Sequence, residues 1–210
     1  MHDSFYDRHE AGRLLAEQLG HLREQKPIVL ALPRGGVPVG FEIAKALEAP
    51  LDVILVRKIG VPTQPELALG AVVNGERAQT SVNRELMEFF DLSEDYVAQE
   101  AQKQLAEIER RRKLYLGERP YLQVVGRTVI VVDDGIATGA TVSAALDALR
   151  RAKPRRIVLA VPVAPRETVR ELRQKVDEVV CLMTPAVFGA ISRFYMDFHQ
   201  IGDEEVVNCL

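Results

Sequence analysis

Tryptophan is absent from this 210-residue chain, aromatic residues make up only 6% of it, and there are only two cysteines. Cys181 and Cys209 form no Cys-x-x-Cys pair, and two cysteines alone cannot complete a structural zinc site. Cys181 reads as a small core residue and Cys209 as a frayed thiol, a pattern that fits a reducing cytoplasm. Long apolar runs are missing too. The longest, residues 157–164, falls far short of the roughly 20 residues that cross a bilayer, so no membrane partner is expected. The first dozen residues carry Asp3, Asp7, Arg8 and Glu10 without an apolar stretch, so no secretory signal is expected. There is no surplus of positive charge: Lys and Arg number 27 against 30 Asp and Glu, for a net charge of -3. A general electrostatic grip on nucleic acid needs such a surplus, so no nucleic-acid partner is expected. What remains is 47% apolar and 27% charged residues, an ordinary globular composition. The length suits one domain over residues 1–210 with a full core.

The organisation is a short apolar run followed by a helical pattern, repeated. Residues 7–20 place Ala11, Leu14, Leu15 and Leu19 on one helical stripe, with Gly20 as a stop. A strand over 28–32 ends at Pro33-Arg34-Gly35-Gly36, and a helix over 39–47 follows. A second strand over 51–56 ends at Arg57-Lys58-Ile59-Gly60. Weaker strands over 69–73 and 80–82 flank Asn74-Gly75, a good hairpin turn. The strand over 128–132 ends at Asp133-Asp134-Gly135, and residues 140–151 read as a helix. Strands over 156–163 and 176–182 enclose a helix near 165–175. Apolar strands without alternation are buried on both faces, so the fold class is α/β: an open, mainly parallel sheet flanked by helices. In such sheets ligands bind beyond the carboxyl ends of the strands.

Residues 91–118 interrupt this rhythm as an inserted long helix. Asp91 and Glu94 have the spacing of a capping box, Val97, Ala101, Leu105 and Ile108 form one stripe, and Glu107–Arg111 and Glu109–Lys113 stand at i,i+4. The pattern fits a solvated helix lying on the domain, a dimer contact, or an arm over the site. The basic cluster Arg150, Arg151, Lys153, Arg155 and Arg156 sits at a helix end, where cations suit the macrodipole.

The chemistry concentrates in residues 129–141. A buried strand delivers the two adjacent carboxylates Asp133 and Asp134 to its carboxyl end. The loop after them, Ala137, Thr138, Gly139, Ala140 and Thr141, is small and hydroxyl-bearing and opens a helix, whose free N–H groups and dipole favour a phosphate. Carboxylates repel phosphate and suit neighbouring hydroxyls or a divalent cation, so a sugar phosphate satisfies both halves. No Gly-Lys-Ser/Thr is present, which excludes a Walker A loop. An acid pair after a strand also serves as the metal site of a phosphoacceptor domain or as a helix cap, but neither needs the Thr-Gly-Ala-Thr cradle.

The string Val131-Val132-Asp133-Asp134-Gly135-Ile136-Ala137-Thr138-Gly139-Ala140-Thr141 resembles the phosphoribosyl-pyrophosphate signature of the type I phosphoribosyltransferases. Leu32-Pro33-Arg34-Gly35-Gly36 resembles that family's pyrophosphate loop, and Val56-Arg57-Lys58-Ile59-Gly60 its basic turn after the second strand. The order and intervals match over about residues 25–165. The resemblance implies a transferase that moves ribose 5-phosphate from phosphoribosyl pyrophosphate, with bound Mg2+, to a small nitrogenous acceptor, releasing pyrophosphate. Arg34, Arg57 and Lys58 would stabilise the leaving group, helped by the amides of Gly35 and Gly36. Asp133 and Asp134 would hold the ribose hydroxyls directly or through magnesium, and Ala137, Thr138, Gly139, Ala140 and Thr141 would hold the 5-phosphate. Ala137 stands where the hypoxanthine–guanine branch carries an acidic residue, and Glu66 lies where the family often has its mobile catalytic loop.

The resemblance also implies a core over about 25–182 and a hood from about 1–20 and 183–210 that recognises the acceptor. Phe188, Phe194 or Tyr195 would stack on a flat base or else pack the lobe on the sheet; His199 reads as structural, and Phe5, Tyr6 and Arg8 complete the hood. A non-catalytic donor-binding sensor and a metal-dependent phosphohydrolase are the competing functions. A homodimer is the default oligomer.

Overall fold

A computed structural model describes residues 4–75 and 78–210, without the side chains of Pro65 and Glu66. Apolar residues fill β1 (Ile28–Ala31) and all of β6 (Thr128–Val132) after its first position, and every residue of both strands is buried. Such strands need cover on both faces. They pair in parallel with β2 (Leu51–Val53), β7 (Arg156–Val163) and β8 (Glu178–Met183) in the order β2-β1-β6-β7-β8. Side chains alternate between the faces. Val29, Ile130, Val132 and Val158 pack under α1 (Arg8–Leu19) and α2 (Gly36–Leu47). Leu30, Val129, Val131 and Leu159 pack under α5 (Ala140–Arg151) and α6 (Arg166–Leu172). Thus most of α1 belongs to the core layer, while its first turns, through Arg8 and Ala11, pack against the hood residues.

The expected helix stop at Gly20 is a change of pitch: a 3-10 segment, Gly20–Gln25, continues to the left-handed Lys26 (φ 48°). Helix α2 starts at Gly36, three residues before the periodic stripe, because Pro38 in its first turn needs no hydrogen-bond acceptor. The basic turn expected at 57–60 is instead part of β3 (Val56–Val61). β2 stops at Val53, and β3 begins a separate antiparallel sheet with β4 (Gln64–Val73) and β5 (Gln79–Val82), in the order β3-β4-β5. The reason is legible in the alternation. Ile59 and Val61 are buried while Lys58 is exposed, the pattern of a strand covered on one face. The β4–β5 connection is longer than a two-residue turn, since Val73 pairs with Gln79. Asn74 folds back: its Oδ1 accepts from the Leu55 amide at 2.7 Å and its Nδ2 donates to the Val53 carbonyl at 3.3 Å.

A short helix, α3 (Arg84–Phe89), precedes the long α4 (Glu94–Leu116). The cap of α4 is Ser93, whose hydroxyl accepts from the Tyr96 amide at 3.1 Å. Asp91 is three residues ahead of the first helical turn and takes φ 48° in the bend, so no capping box forms. The expected stripe covers the small sheet, with Val97 and Ile108 buried against Ile59, Val61 and Leu69. Glu107 pairs with both Arg110 and Arg111, whereas Lys113 pairs with Glu118 rather than Glu109. The last element is α7 (Asp203–Cys209), which places Cys209 half-buried against the α4 cluster rather than frayed.

Candidate functional site at the carboxyl rim

The ends of β1 and β6 are tied together by the Leu32 amide donating to the Val132 carbonyl at 2.9 Å. This places the loop of Pro33, Arg34, Gly35 and Gly36 directly on Asp133 and Asp134. A Cβ on Gly35 would lie 2.0 Å from Asp134 Oδ2, and one on Gly36 would lie 2.8 Å from the Val132 carbonyl oxygen. Only glycine permits that approach. The Gly36 amide donates to the Leu32 carbonyl at 3.0 Å as the chain turns into α2.

The two acids differ. Asp134 is buried and accepts from Arg8 Nε of α1 at 2.7 Å. Arg8 is itself buried, donates through Nη1 to the His199 carbonyl at 3.0 Å, and lies 3.9 Å over the Phe198 ring. Tyr195 donates to the Asp134 carbonyl at 2.6 Å, and burial followed by the Asp134 charge raises its phenol pKa. Among the described residues Asp133 has no ion-pair partner, and the Arg8 charge is only a minor influence on it. Burial, and after it the neighbouring Asp134 charge, lift its carboxyl well above the usual carboxylate range. One acid thus has an ion-pair partner, while burial and its neighbour's charge favour the neutral form of the other.

Beyond them Ile136 is buried and its amide donates to the Val163 carbonyl at 2.9 Å, while Thr168 Oγ1 donates to the Ala137 carbonyl at 2.9 Å. The chain then opens into α5 through Gly139 at φ 77°, with no side-chain cap on the helix. The first amides of α5 have no partner inside the helix. Ala137, Thr138, Ala140 and Thr141 are exposed around them, on the loop that follows the acids.

A cavity of about 350 Å³ joins Arg8, Arg34, Gly35 and Asp134 to the hood residues Phe198 and His199. Arg34 is half-exposed and 3.9 Å from Asp203 of α7, which also accepts from the Tyr115 hydroxyl at 2.9 Å. The hood is built jointly by the two ends of the sequence. Phe5, Phe194 and Tyr195 are buried together, which settles those aromatics as packing. Phe198 is the ring presented to the cavity. His199 accepts or donates to Asp197 and Glu205 at 3.0 and 3.2 Å, and these bonds raise its pKa.

Among the predicted residues, the structure brings Arg34, Gly35, Gly36, Asp133, Asp134 and the 137–141 loop to one rim. Arg57 and Lys58 do not line the cavity: Arg57 Nε donates to Gln104 of α4 at 3.3 Å. The side chain of Glu66 lies outside the described residues. Sequence reasoning placed Arg8 in the hood and missed its ion pair with Asp134, because 126 positions separate the two. Among the described residues no group of three or more His, Cys, Asp or Glu side chains could by itself hold a metal ion.

The fold and rim define a class: a parallel α/β domain with an acid pair and an exposed helix start at one strand end. The phosphoribosyl transferase domain model matches residues 3–199, and the chain belongs to that family. Two Mycobacterium tuberculosis proteins, from strains CDC 1551 and H37Rv, named as candidate phosphoribosyl transferases, are each 46% identical over 203 residues, 97% of this chain. The chain spans 45% of the length of these curated relatives. The crystal structure of TT1426 from Thermus thermophilus is 43% identical, covers 98% of this chain and 97% of its own, and superposes with a TM-score of 0.85. No described helix is long and apolar enough to cross a membrane.

Proposed function

We propose that the chain transfers ribose 5-phosphate from phosphoribosyl pyrophosphate to a small nitrogenous acceptor and releases pyrophosphate. The supporting observation is the seating of the Gly35-Gly36 loop on the Asp133-Asp134 pair, which sets a sugar-binding acid and a pyrophosphate loop side by side. The exposed amides and the Thr138 and Thr141 hydroxyls bind the 5-phosphate. Asp133 accepts from the ribose hydroxyls, while Asp134 anchors the hood through Arg8. The acceptor's nitrogen attacks C1 as the C1–pyrophosphate bond breaks, so positive charge develops on the ribose and negative charge on the departing group. Arg34 and the Gly35 amide stabilise that negative charge, and positioning of the two reactants supplies most of the remainder. Gly36, whose amide is already used, contributes the space for the approach. The anionic rim also favours an oxocarbenium-like ribose.

The donor set fits magnesium. Among the described residues Asp133 has no ion-pair partner, so a cation beside it would offset the burial and the Asp134 charge that raise its pKa, and magnesium keeps its waters and substrate phosphates rather than requiring an all-protein cage. When bound with the donor it would be held by Asp133, directly or through water, and would supply positive charge against pyrophosphate. Arg57 and Lys58 reach the leaving group only if Arg57 exchanges Gln104 for it.

The engagement of Arg57 with Gln104, away from the cavity, favours a second reading, a donor-binding sensor without acceptor chemistry. Magnesium-dependent pyrophosphate release across a panel of nucleobases and related nitrogen heterocycles tests both. Release that requires one base supports transfer. Tight donor binding without base-dependent release supports the sensor. Orthophosphate from simple esters, with no donor affinity, overturns both in favour of a phosphohydrolase. A cytoplasmic setting and a homodimer accompany the proposal, the latter checked by light scattering.

A further inference from the structure

A second cavity, of about 450 Å³, lies at the other end of α5 from the phosphate cradle. Arg151, Ala152 and Lys153 line it, so roughly 17 Å of helix, at 1.5 Å per residue, separates it from the 137–141 loop. Its walls are apolar, with Leu30, Val73, Leu122 and Leu149 around a flat slot, and its volume is in the range of about 300–1,000 Å³ typical of small-molecule sites. It lies where the α5 layer stops short of β2, the edge strand of the large sheet.

Two polar features stand in and beside this cavity. The first is inside. Asp52 lines the cavity at 5% exposure, with Oδ1 accepting from the Val53 amide at 2.7 Å. Its Oδ2 is 3.5 Å from Arg112 Nη2, too far for a hydrogen bond. Arg112 is 6% exposed, stacks 3.9 Å over the Tyr121 ring that also lines the cavity, and leaves Nε and Nη2 without a hydrogen-bond partner. Buried polar groups are nearly always satisfied, so a guanidinium with two unpartnered nitrogens, beside a carboxylate held by the Val53 and Leu122 backbone, calls for a further partner. The second feature is at the mouth. Of the five basic residues around the end of α5, Arg150 pairs with Asp177, Arg156 with Glu178, and Arg155 donates to Thr128. Arg151 and Lys153 have no side-chain partner among the described residues, and both line this cavity.

We propose that this cavity binds a mononucleotide, with the base in the apolar slot beside Tyr121, its amino edge donating to Asp52, and the phosphate held by Arg151 and Lys153. A flat apolar body, a hydrogen-bond-donating edge and an anionic end are the three properties the lining selects together. The site stands apart from the transfer reaction. Where that reaction holds, its product belongs to the same chemical class, and the cavity becomes a feedback site. The link to the rim is covalent: α5 runs from the 137–141 loop to Arg151 at this cavity.

Calorimetry with adenosine 5′-monophosphate on the full chain tests the proposal, run in a Thr138→Val/Thr141→Val background that disables the phosphate cradle. Binding is expected to persist there, to fall about tenfold or more for adenosine without its phosphate, and to fall similarly in Arg151→Glu/Lys153→Glu. The exposed double change leaves the core intact, whereas Asp52→Asn serves as a second probe only if it melts normally. Binding that vanishes with the cradle, or that ignores Arg151→Glu/Lys153→Glu, overturns the assignment. So does the absence of heat from the adenosine, guanosine, cytidine and uridine monophosphates alike. Phosphoribosyl pyrophosphate titrated in parallel on the unmodified chain separates the two readings. A chain that binds the mononucleotide at Lys153 but ignores the donor keeps this inference and sinks the transferase.

Discussion

The two sheets of this protein bury their strands by different means, and they divide the work accordingly. Every residue of β1 and β6 is buried between two helical layers, whereas β3 and β5 keep one face exposed or half-covered and rely on α4 for the other. The large sheet therefore has stability in reserve at its rim. It tolerates an acid with no counter-charge, Asp133, next to another acid. The α4 helix that covers the small sheet carries its charges in ordinary pairs, such as Glu107 with Arg110 and Arg111, which hold that carboxyl down at about 2. Changes at the large sheet's rim should thus alter binding more than folding, apart from the buried pair that anchors it. Changes on the α4 helix that covers the small sheet should alter folding alone.

The largest effect is expected from Arg8→Ala, which leaves Asp134 buried without a cation. Chemical denaturation should show a loss of about 3–5 kcal/mol, with part of it recovered in Arg8→Lys. An unaltered denaturation midpoint would remove Arg8 as the anchor. Next, Asp133→Asn with Asp134→Asn should cost about 2–5 kcal/mol of donor affinity or transition-state stabilisation, read by donor titration and pyrophosphate release. Thr138→Val should weaken donor binding by about 1.5–3 kcal/mol, and an unchanged dissociation constant would take Thr138 out of the cradle.

Asp133→Asn alone sharpens the contrast because its sign is opposite for stability. The folded pKa of Asp133 is raised, so the folded chain holds that proton more tightly than the unfolded chain does. Its contribution is full below the unfolded carboxylate pKa and is lost as pH rises through the folded value. At neutral pH the substitution should therefore stabilise the ligand-free chain by about 1 kcal/mol, while still impairing donor binding. Melting curves across pH should show wild type falling away from Asp133→Asn as pH increases; parallel curves would contradict this. The smallest effect belongs to the other sheet. Ser93→Ala should cost about 1 kcal/mol through loss of the α4 cap and leave donor affinity unchanged.

The same contrast explains what could be read in the sequence. β6, α5 and β7 stand where periodicity and end signals placed them, because a continuous apolar run followed by glycine and a helical stripe has few alternatives. The rim residues Asp133 to Thr141 and the Gly35-Gly36 loop were legible for the same reason. Arg57 and Lys58 were read as a turn because β2 and β3 abut with only Ile54 and Leu55 between them, and an uninterrupted apolar run hides the change of sheet. Asp91 was read as a cap because spacing alone cannot tell it from Ser93. The Arg8–Asp134 pair and the choice of Phe198 over Tyr195 as the cavity's ring depend on contacts between distant parts of the chain, which no local pattern records.

One backbone feature of the hood has a consequence for how the molecule is made. Phe5 donates to Phe194 and accepts from Met196, and Tyr6 accepts from Asp197, each at 2.8 Å. The segment around Phe5 thus finds these hydrogen-bond partners only in residues translated after every strand of the parallel sheet. A ribosome releases those strands first, so the floor of the rim can assemble while its roof is still being synthesised. Closing so long a loop is entropically slow. Stopped-flow refolding should accordingly show Tyr195 and Phe198 reaching their final environment after the sheet has formed.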